Sequence, residues 1–140
     1  MNKRNHWKAV QALFLDEQDE GTKYLRDIFS NIIFDKNEFS VFFEKVLEGL
    51  LYQLWERYFV HLPIGLIEDR EYQGEVKIAC DNFDGRDYRG FVRLDKFCFY
   101  VKLAAVFHAK HVNPSFDPWE GFEALDEMQR RYYPWPQVQA

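Results

Sequence analysis

The stretch from Asp35 to Leu62 constrains the fold most, because its apolar residues recur at helical spacing over its whole length. Asp35 precedes Glu38 by three residues, which is the spacing of a capping box at a helix start. Pro63 has no amide hydrogen and disfavours helical geometry in the residue before it, so a helix must end near Leu62. We therefore predict one long central helix of roughly 39 Å, at 1.5 Å per residue.

A helix over this stretch would be apolar on two sides. At about 100° per residue, one broad face collects seven apolar residues that predict an ordinary core: Phe39, Phe43, Val46, Leu47, Leu50, Leu54 and Tyr58. The opposite face mixes glutamates with a second apolar stripe, formed by Val41, Tyr52, Trp55 and Phe59.

This second stripe has two possible explanations. Other parts of the chain could cover it, or it could contact a partner, since aromatic residues are enriched at protein interfaces. In the second case the partner-binding residues would be the stripe, its flanking glutamates and a tryptophan of the C-terminal tail, namely Val41, Glu44, Glu48, Tyr52, Trp55, Phe59 and Trp135. A second copy of the chain, giving a homodimer, is one such partner.

The rest of the chain predicts a mostly α, α+β fold in one domain, residues 1–140. Two amphipathic helices over 5–17 and 22–34 precede the long helix, with Thr22 as an N-cap, so residues 1–62 form a helical part. Residues 63–94 read as a loop followed by a small antiparallel β-hairpin, because 75–80 alternate in polarity before the turn Asp84–Gly85. Residues 95–133 are predicted as two helices, and 134–140 as an extended tail.

The two C-terminal helices differ in the strength of their signals. Residues 96–112 fit either a strand, by propensity, or one face of a buried helix, by spacing, and we favour the helix. The last helix has a clear start, in which Asp117, Pro118 and Glu120 supply an N-cap, a proline at the first position and a capping-box carboxylate.

Charge and cysteine content limit the function classes. The formal net charge is −5 and the sequence pI about 5.4, which argues against nucleic-acid binding by bulk electrostatics and is compatible with a basic protein partner. The two cysteines, the absence of a secretory apolar segment and the absence of a run long enough to span a bilayer predict a cytoplasmic protein with reduced thiols. No motif calls for a cofactor.

One pair of histidines has metal-ligand character. His108 and His111, three residues apart, would share a helix face, and imidazole binds zinc or iron well. A further ligand would have to come from elsewhere, with four candidates by residue type: Cys98, Asp117, Glu120 and His61. The alternative is one packed and one solvated histidine near a helix end.

One basic cluster is interleaved with aromatic residues. Arg86, Arg89 and Arg93 alternate with Tyr88 and Phe91, a mixture that nucleic-acid surfaces use. Aspartates lie nearby in the sequence, and arginine–aspartate pairs form readily on ordinary surfaces.

These observations support three hypotheses. The first is a non-catalytic protein–protein interaction module, such as an inhibitor, an immunity-type protein, an adaptor or an assembly subunit. The second is a metal-dependent enzyme centred on His108 and His111. The third is a nucleic-acid accessory protein that uses Arg86, Arg89 and Arg93. The chain has no Walker A loop, G-x-S-x-G elbow or GxGxxG motif, so the first hypothesis is favoured.

Overall fold

The computed structural model describes residues 2–15, 19–81 and 87–134 of the chain. Within them the helices are α1 (Lys3–Leu15), α2 (Glu20–Ile32), α3 (Lys36–Glu48), α4 (Pro63–Glu68), α5 (Leu94–His111) and α6 (Pro118–Tyr132). The strands are β1 (Leu51–Leu54), β2 (Tyr58–His61), β3 (Glu75–Asp81) and β4 (Asp87–Arg93). The fold is therefore α+β, as predicted, but with a larger sheet than a single hairpin.

Helix α3 begins where the sequence predicts and ends much earlier. The carboxylate of Asp35 accepts hydrogen bonds from the amides of Asn37 and Glu38, at 3.1 and 3.0 Å, which confirms the N-cap. The helix stops at Gly49, whose φ of 77° places it in the left-handed region that favours glycine. The Gly49 amide caps the helix by donating to carbonyls of its last turn.

The predicted single helix from Asp35 to Leu62 is therefore wrong, since residues 51–61 form the β1–β2 hairpin. Burial alternates from one residue to the next in β1, as it does in a strand: Tyr52 and Leu54 are buried, whereas Leu51 and Gln53 are exposed. Aromatic and β-branched residues favour this segment as strands. The helical wheel fitted because a segment so rich in apolar residues matches both the helical repeat and the strand repeat. The helix ends at Gly49, and the strand repeat applies after it.

The four strands form one antiparallel sheet in the order β1-β2-β3-β4. Its inner face packs on α2, α3 and α5 and buries alternate residues such as Val60 and Ile78, which are register partners. The opposite face carries exposed or half-buried side chains, such as those of Leu51, Phe59 and Phe91. Antiparallel sheets tolerate such an arrangement, with one face packed and one face open.

The structure confirms the predicted hairpin after residue 63 and corrects two details of the neighbouring helices. The hairpin near 75–94 is confirmed as β3 and β4, although its predicted turn at Asp84–Gly85 lies outside the described residues. Part of the predicted loop after residue 62 is α4, which starts at Pro63. The N-cap of α2 is Asp19, which accepts from the Thr22 amide at 2.7 Å, so the prediction of Thr22 as the cap is wrong.

The two C-terminal helices are confirmed. Residues 94–111 form α5, so spacing prevailed over strand propensity, and one broad side of this helix is buried. Asp117 caps α6 by accepting from the Trp119 amide at 3.0 Å, with Pro118 at the first helical position. Of the predicted tail 134–140, only Pro134 lies in the described part.

Helix α2 and strand β4 approach each other at two glycines. A Cβ atom on Gly90 would lie 2.2 Å from the backbone nitrogen of Gly21, and one on Gly21 would lie 2.6 Å from backbone atoms of Phe91. The helix start and the strand can therefore touch through their backbones, a contact that any larger side chain would prevent.

Aromatic rings fill much of the core. Phe42 meets Phe29 and Tyr52 edge-on, at centroid distances of 5.5 and 4.9 Å, and Phe39 stacks on His108. Part of the high aromatic content is thus used for internal packing. Within the described ranges, no helix has the length and apolar character needed to cross a membrane.

Candidate functional site

The tip of the β1–β2 hairpin presents a tryptophan to solvent. Trp55 is 60% exposed, whereas Trp7 is buried in the core. Its backbone has a φ of 55°, in the left-handed region where a bulky L-residue is strained. The turn is closed by the Arg57 amide, which donates to the Leu54 carbonyl at 3.2 Å.

Two apolar residues of the same hairpin lie on the open face of the sheet. Phe59 on β2 faces Gln53 across the hairpin and is half-buried, and Leu51 on β1 is exposed. We refer to Leu51, Trp55 and Phe59 together as the hairpin surface. Sequence reasoning missed Leu51, and the period-two alternation after Gly49 is the signal that identifies it.

Tyr52 does not belong to this surface, because its side chain points into the core and is 1% exposed. Its hydroxyl donates to a carboxylate oxygen of Glu38 at 2.7 Å, which joins β1 to the first turn of α3. Burial and this hydrogen bond raise the pKa of Tyr52. The proposed single stripe is therefore divided, since Tyr52 points into the core whereas Trp55 is exposed and Phe59 lies on the open face of the sheet.

The remaining predicted partner-binding residues lie on a different element or beyond the described part. Val41, Glu44 and Glu48 are exposed on α3, where Glu48 pairs with Lys45 at 3.4 Å. Trp135 lies outside the described residues. Three of the seven predicted residues lie on the β1–β2 hairpin, and of these only Trp55 and Phe59 are outside the core.

The two histidines of the proposed metal site lie in different environments. His108 is buried, donates from Nδ1 to the Ile33 carbonyl at 2.7 Å and stacks on Phe39 with centroids 4.3 Å apart. Burial lowers the pKa of His108, partly opposed by the bond to Ile33, so the ring is neutral at pH 7. His111 is half-buried against Phe107. No group of three potential metal ligands occurs among the described residues.

The basic cluster lies on β4, at one edge of the sheet. Arg89 and Arg93 are exposed on its open face, with exposed Phe91 between them, while Arg86 lies outside the described part. Two hydrogen bonds of 2.9 Å join the Arg93 guanidinium to the Asp95 carboxylate. Local pairing therefore neutralises one of the cations that a phosphate would need.

A cysteine nucleophile is not supported by the geometry. Cys98 is buried, and its thiol donates to the Leu125 carbonyl at 3.9 Å. Burial raises the pKa of Cys98 to about 12, so the neutral thiol predominates at pH 7. Cys80 is also buried, on the inner face of β3.

No family model, curated protein or solved structure was found that matches this chain.

Proposed function

We propose that this chain is a non-catalytic protein-binding module whose partner receives the tip of the β1–β2 hairpin. The observation that carries the proposal is Trp55, a large aromatic side chain that is exposed on a strained turn. Tryptophan is the residue type most enriched among interface anchors, where its ring fills a desolvated pocket of the partner.

The backbone conformation of Trp55 is unfavourable for a bulky side chain. A positive φ costs an L-residue roughly 1–2 kcal/mol, which glycine avoids and asparagine largely avoids. The indole is 60% exposed, so most of its apolar area stays in water in the isolated chain. The neighbouring core is formed by Tyr52 and Leu54, which are both buried. A cost to folding at an exposed position is expected where the residue serves binding.

The partner we propose offers an apolar pocket for Trp55 and an apolar rim for Leu51 and Phe59. Inhibitors, immunity-type proteins, adaptors and assembly subunits are the classes that function through such contacts alone. Glu56, next to Trp55 in the turn, is exposed, which favours a partner with basic groups at the rim of its pocket.

The test compares the wild-type chain with Trp55→Asn, which removes the ring and suits the left-handed backbone. Co-purification from the cell that makes the protein, quantified by mass spectrometry, identifies the partner. We expect Trp55→Asn to weaken its association by more than about 1 kcal/mol. The unfolding free energy should meanwhile stay within about 0.5 kcal/mol of wild type or increase.

The matched control is Trp119→Asn, because Trp119 is another exposed tryptophan and lies on α6. This variant should retain the partner. Equal recovery of the partner with Trp55→Asn would contradict the proposal. Light scattering on both variants shows whether the partner is a second copy of the chain.

The two alternative functions remain predictions with direct tests. Elemental analysis of untagged protein, together with melting in chelator, tests a metal-dependent enzyme that uses His108 and His111. Salt-dependent binding of a labelled single-stranded oligonucleotide to wild type and to an Arg89→Ala, Arg93→Ala variant tests the nucleic-acid hypothesis.

A further inference from the structure

A second exposed apolar surface lies between α1 and α5, where the two helices border a groove of about 340 Å³. Its apolar lining is contributed by both helices: Val10, Leu13, Phe99, Leu103, Val106 and Phe107. Leu13 and Phe99 are 54% and 53% exposed, and Val106 is also exposed. Three large apolar side chains left in water along one groove indicate a binding surface.

The two helices that border the groove are basic within an acidic chain. Helices α1 and α5 together hold six lysine and arginine residues and a single carboxylate, Asp95. The whole chain holds 18 basic and 23 acidic residues, so the remainder carries 12 basic and 22 acidic ones. The net charge is thus +5 on these two helices and −10 on everything else.

Two lysines border the groove. Lys102 and Lys110 line it together with His111 and the apolar residues. Lys102 contacts Asp126 on α6, whereas Lys110 forms no ion pair with another described residue. Burial lowers the pKa of His111, and His6, Lys110 and Lys3 lower it further.

We propose that this groove binds an amphipathic helix of a protein partner, with aspartates or glutamates flanking its apolar face. Phe99 and Val106 are seven residues apart on α5, which corresponds to two helical turns or roughly 10 Å. That spacing matches the i, i+3/i+4, i+7 anchors of a helix lying in a groove. The site is separate from the hairpin surface and goes beyond the function proposed above.

Other occupants fit less well. The groove is lined by side chains of two helices and offers no strand edge, so an extended peptide would leave its backbone groups unpaired, whereas a helix satisfies its own. A second copy docked groove to groove would bring lysines against lysines. A flat bilayer would touch the rims formed by Leu13 and Phe99 and leave the recess empty.

The test uses a labelled synthetic peptide of about 16 residues, long enough to form a helix on binding. Leucines at i, i+3, i+4 and i+7 form the apolar face of this peptide, and glutamates occupy the positions on either side of that face. Two control peptides have the same composition in scrambled order, or lysine in place of glutamate. Binding to the full chain is measured by fluorescence anisotropy, and the site is located by amide chemical shifts in NMR spectra.

We expect the acidic helical peptide to bind at least tenfold more tightly than either control and to shift amides of α1 and α5. Phe99→Ser should weaken binding at least tenfold, as loss of an anchor does, and Lys110→Glu should weaken it in a salt-dependent manner. Leu50→Ser, at an exposed apolar residue away from α1 and α5, is the matched control and should bind as wild type does.

Three results would overturn the proposal: no binding at peptide concentrations up to about 1 mM, equal binding of the scrambled peptide, or shifts confined to other elements. Competition of the peptide by anionic phospholipid vesicles would reassign the groove to a membrane surface and would also overturn it. Circular dichroism confirms that Phe99→Ser folds, and Val106→Lys provides a second variant. Trp55→Asn should bind the peptide normally, so failure here is distinct from failure of the hairpin proposal.

Discussion

The hydrogen bond between Tyr52 and Glu38 gives a sharp test of the path of the chain after Gly49. Tyr52→Phe removes only the hydroxyl, which donates to the carboxylate at 2.7 Å, and leaves the ring against Phe42. Hydrogen bonds to charged groups contribute about 1.5–3 kcal/mol. Glu38 is half-buried and regains some water, so the low end of that range, about 1.5 kcal/mol, is expected.

The assay is urea denaturation followed by circular dichroism, with an unchanged slope against urea as the check on two-state behaviour. A double-mutant cycle with Glu38→Ala separates the pair from the interaction of Glu38 with the helix dipole, which contributes about 0.3–1 kcal/mol by itself. We expect a coupling energy of about 1 kcal/mol. Tyr52→Ala should cost about 3–5 kcal/mol, as removal of a buried ring does.

A coupling energy below about 0.3 kcal/mol would refute the reasoning, because contacting residues normally couple by more than this. So would a Tyr52→Ala variant that unfolds like wild type, since that is the behaviour of an exposed residue on a helix. Phe59→Ala serves as the comparison, because Phe59 is half-buried on the open face and should cost less.

Two further predictions concern stability. Gly90→Ala should lower the unfolding free energy by about 2–3 kcal/mol or more, because the new Cβ would overlap the backbone of Gly21; a loss below about 1 kcal/mol in urea titrations would contradict that contact. Folding lowers the pKa of His108, so the unfolded chain takes up a proton at a higher pH than the folded chain does. The unfolding free energy should therefore be unaffected by His108 above about pH 6.5. Below that pH it should decrease, by up to about 1.4 kcal/mol per pH unit. His108→Gln should flatten the dependence between about pH 5 and 6.5, and an unchanged slope would show that His108 is not the group responsible.

Local signals in the sequence were sufficient to locate the starts of α3 and α6. Asp35, Asp117 and Pro118 act on amides within their own first turn, so their effect does not depend on the rest of the fold. The segment after Gly49 could not be assigned by its apolar spacing, because helical and strand periods both fitted it. Its pairing with β3, which lies about twenty residues further along the chain, stabilises it as a strand.

The candidate sites were only partly predictable for the same reason. Trp55 is exposed because it lies at the tip of a turn, so it stayed a surface residue when the predicted helix proved to be a hairpin. Tyr52 is core because the strand period turns it toward Phe42. The groove could not be found from sequence, because Leu13 and Phe99 become neighbours only when helices from opposite ends of the chain pack together.

The unequal distribution of charge also has a kinetic consequence. Helices α1 and α5 carry a net charge of +5 and the rest of the chain −10, so these two helices differ in sign from the remainder. An acidic partner approaching from solution would be oriented toward these helices before contact, which raises association rates well above the roughly 10⁵–10⁶ M⁻¹s⁻¹ of uncharged pairs. The acceleration would fade as added salt shortens the Debye length to about 8 Å at physiological ionic strength. The side of the molecule that a partner meets first is thus determined by long-range forces, and its apolar contacts form afterwards.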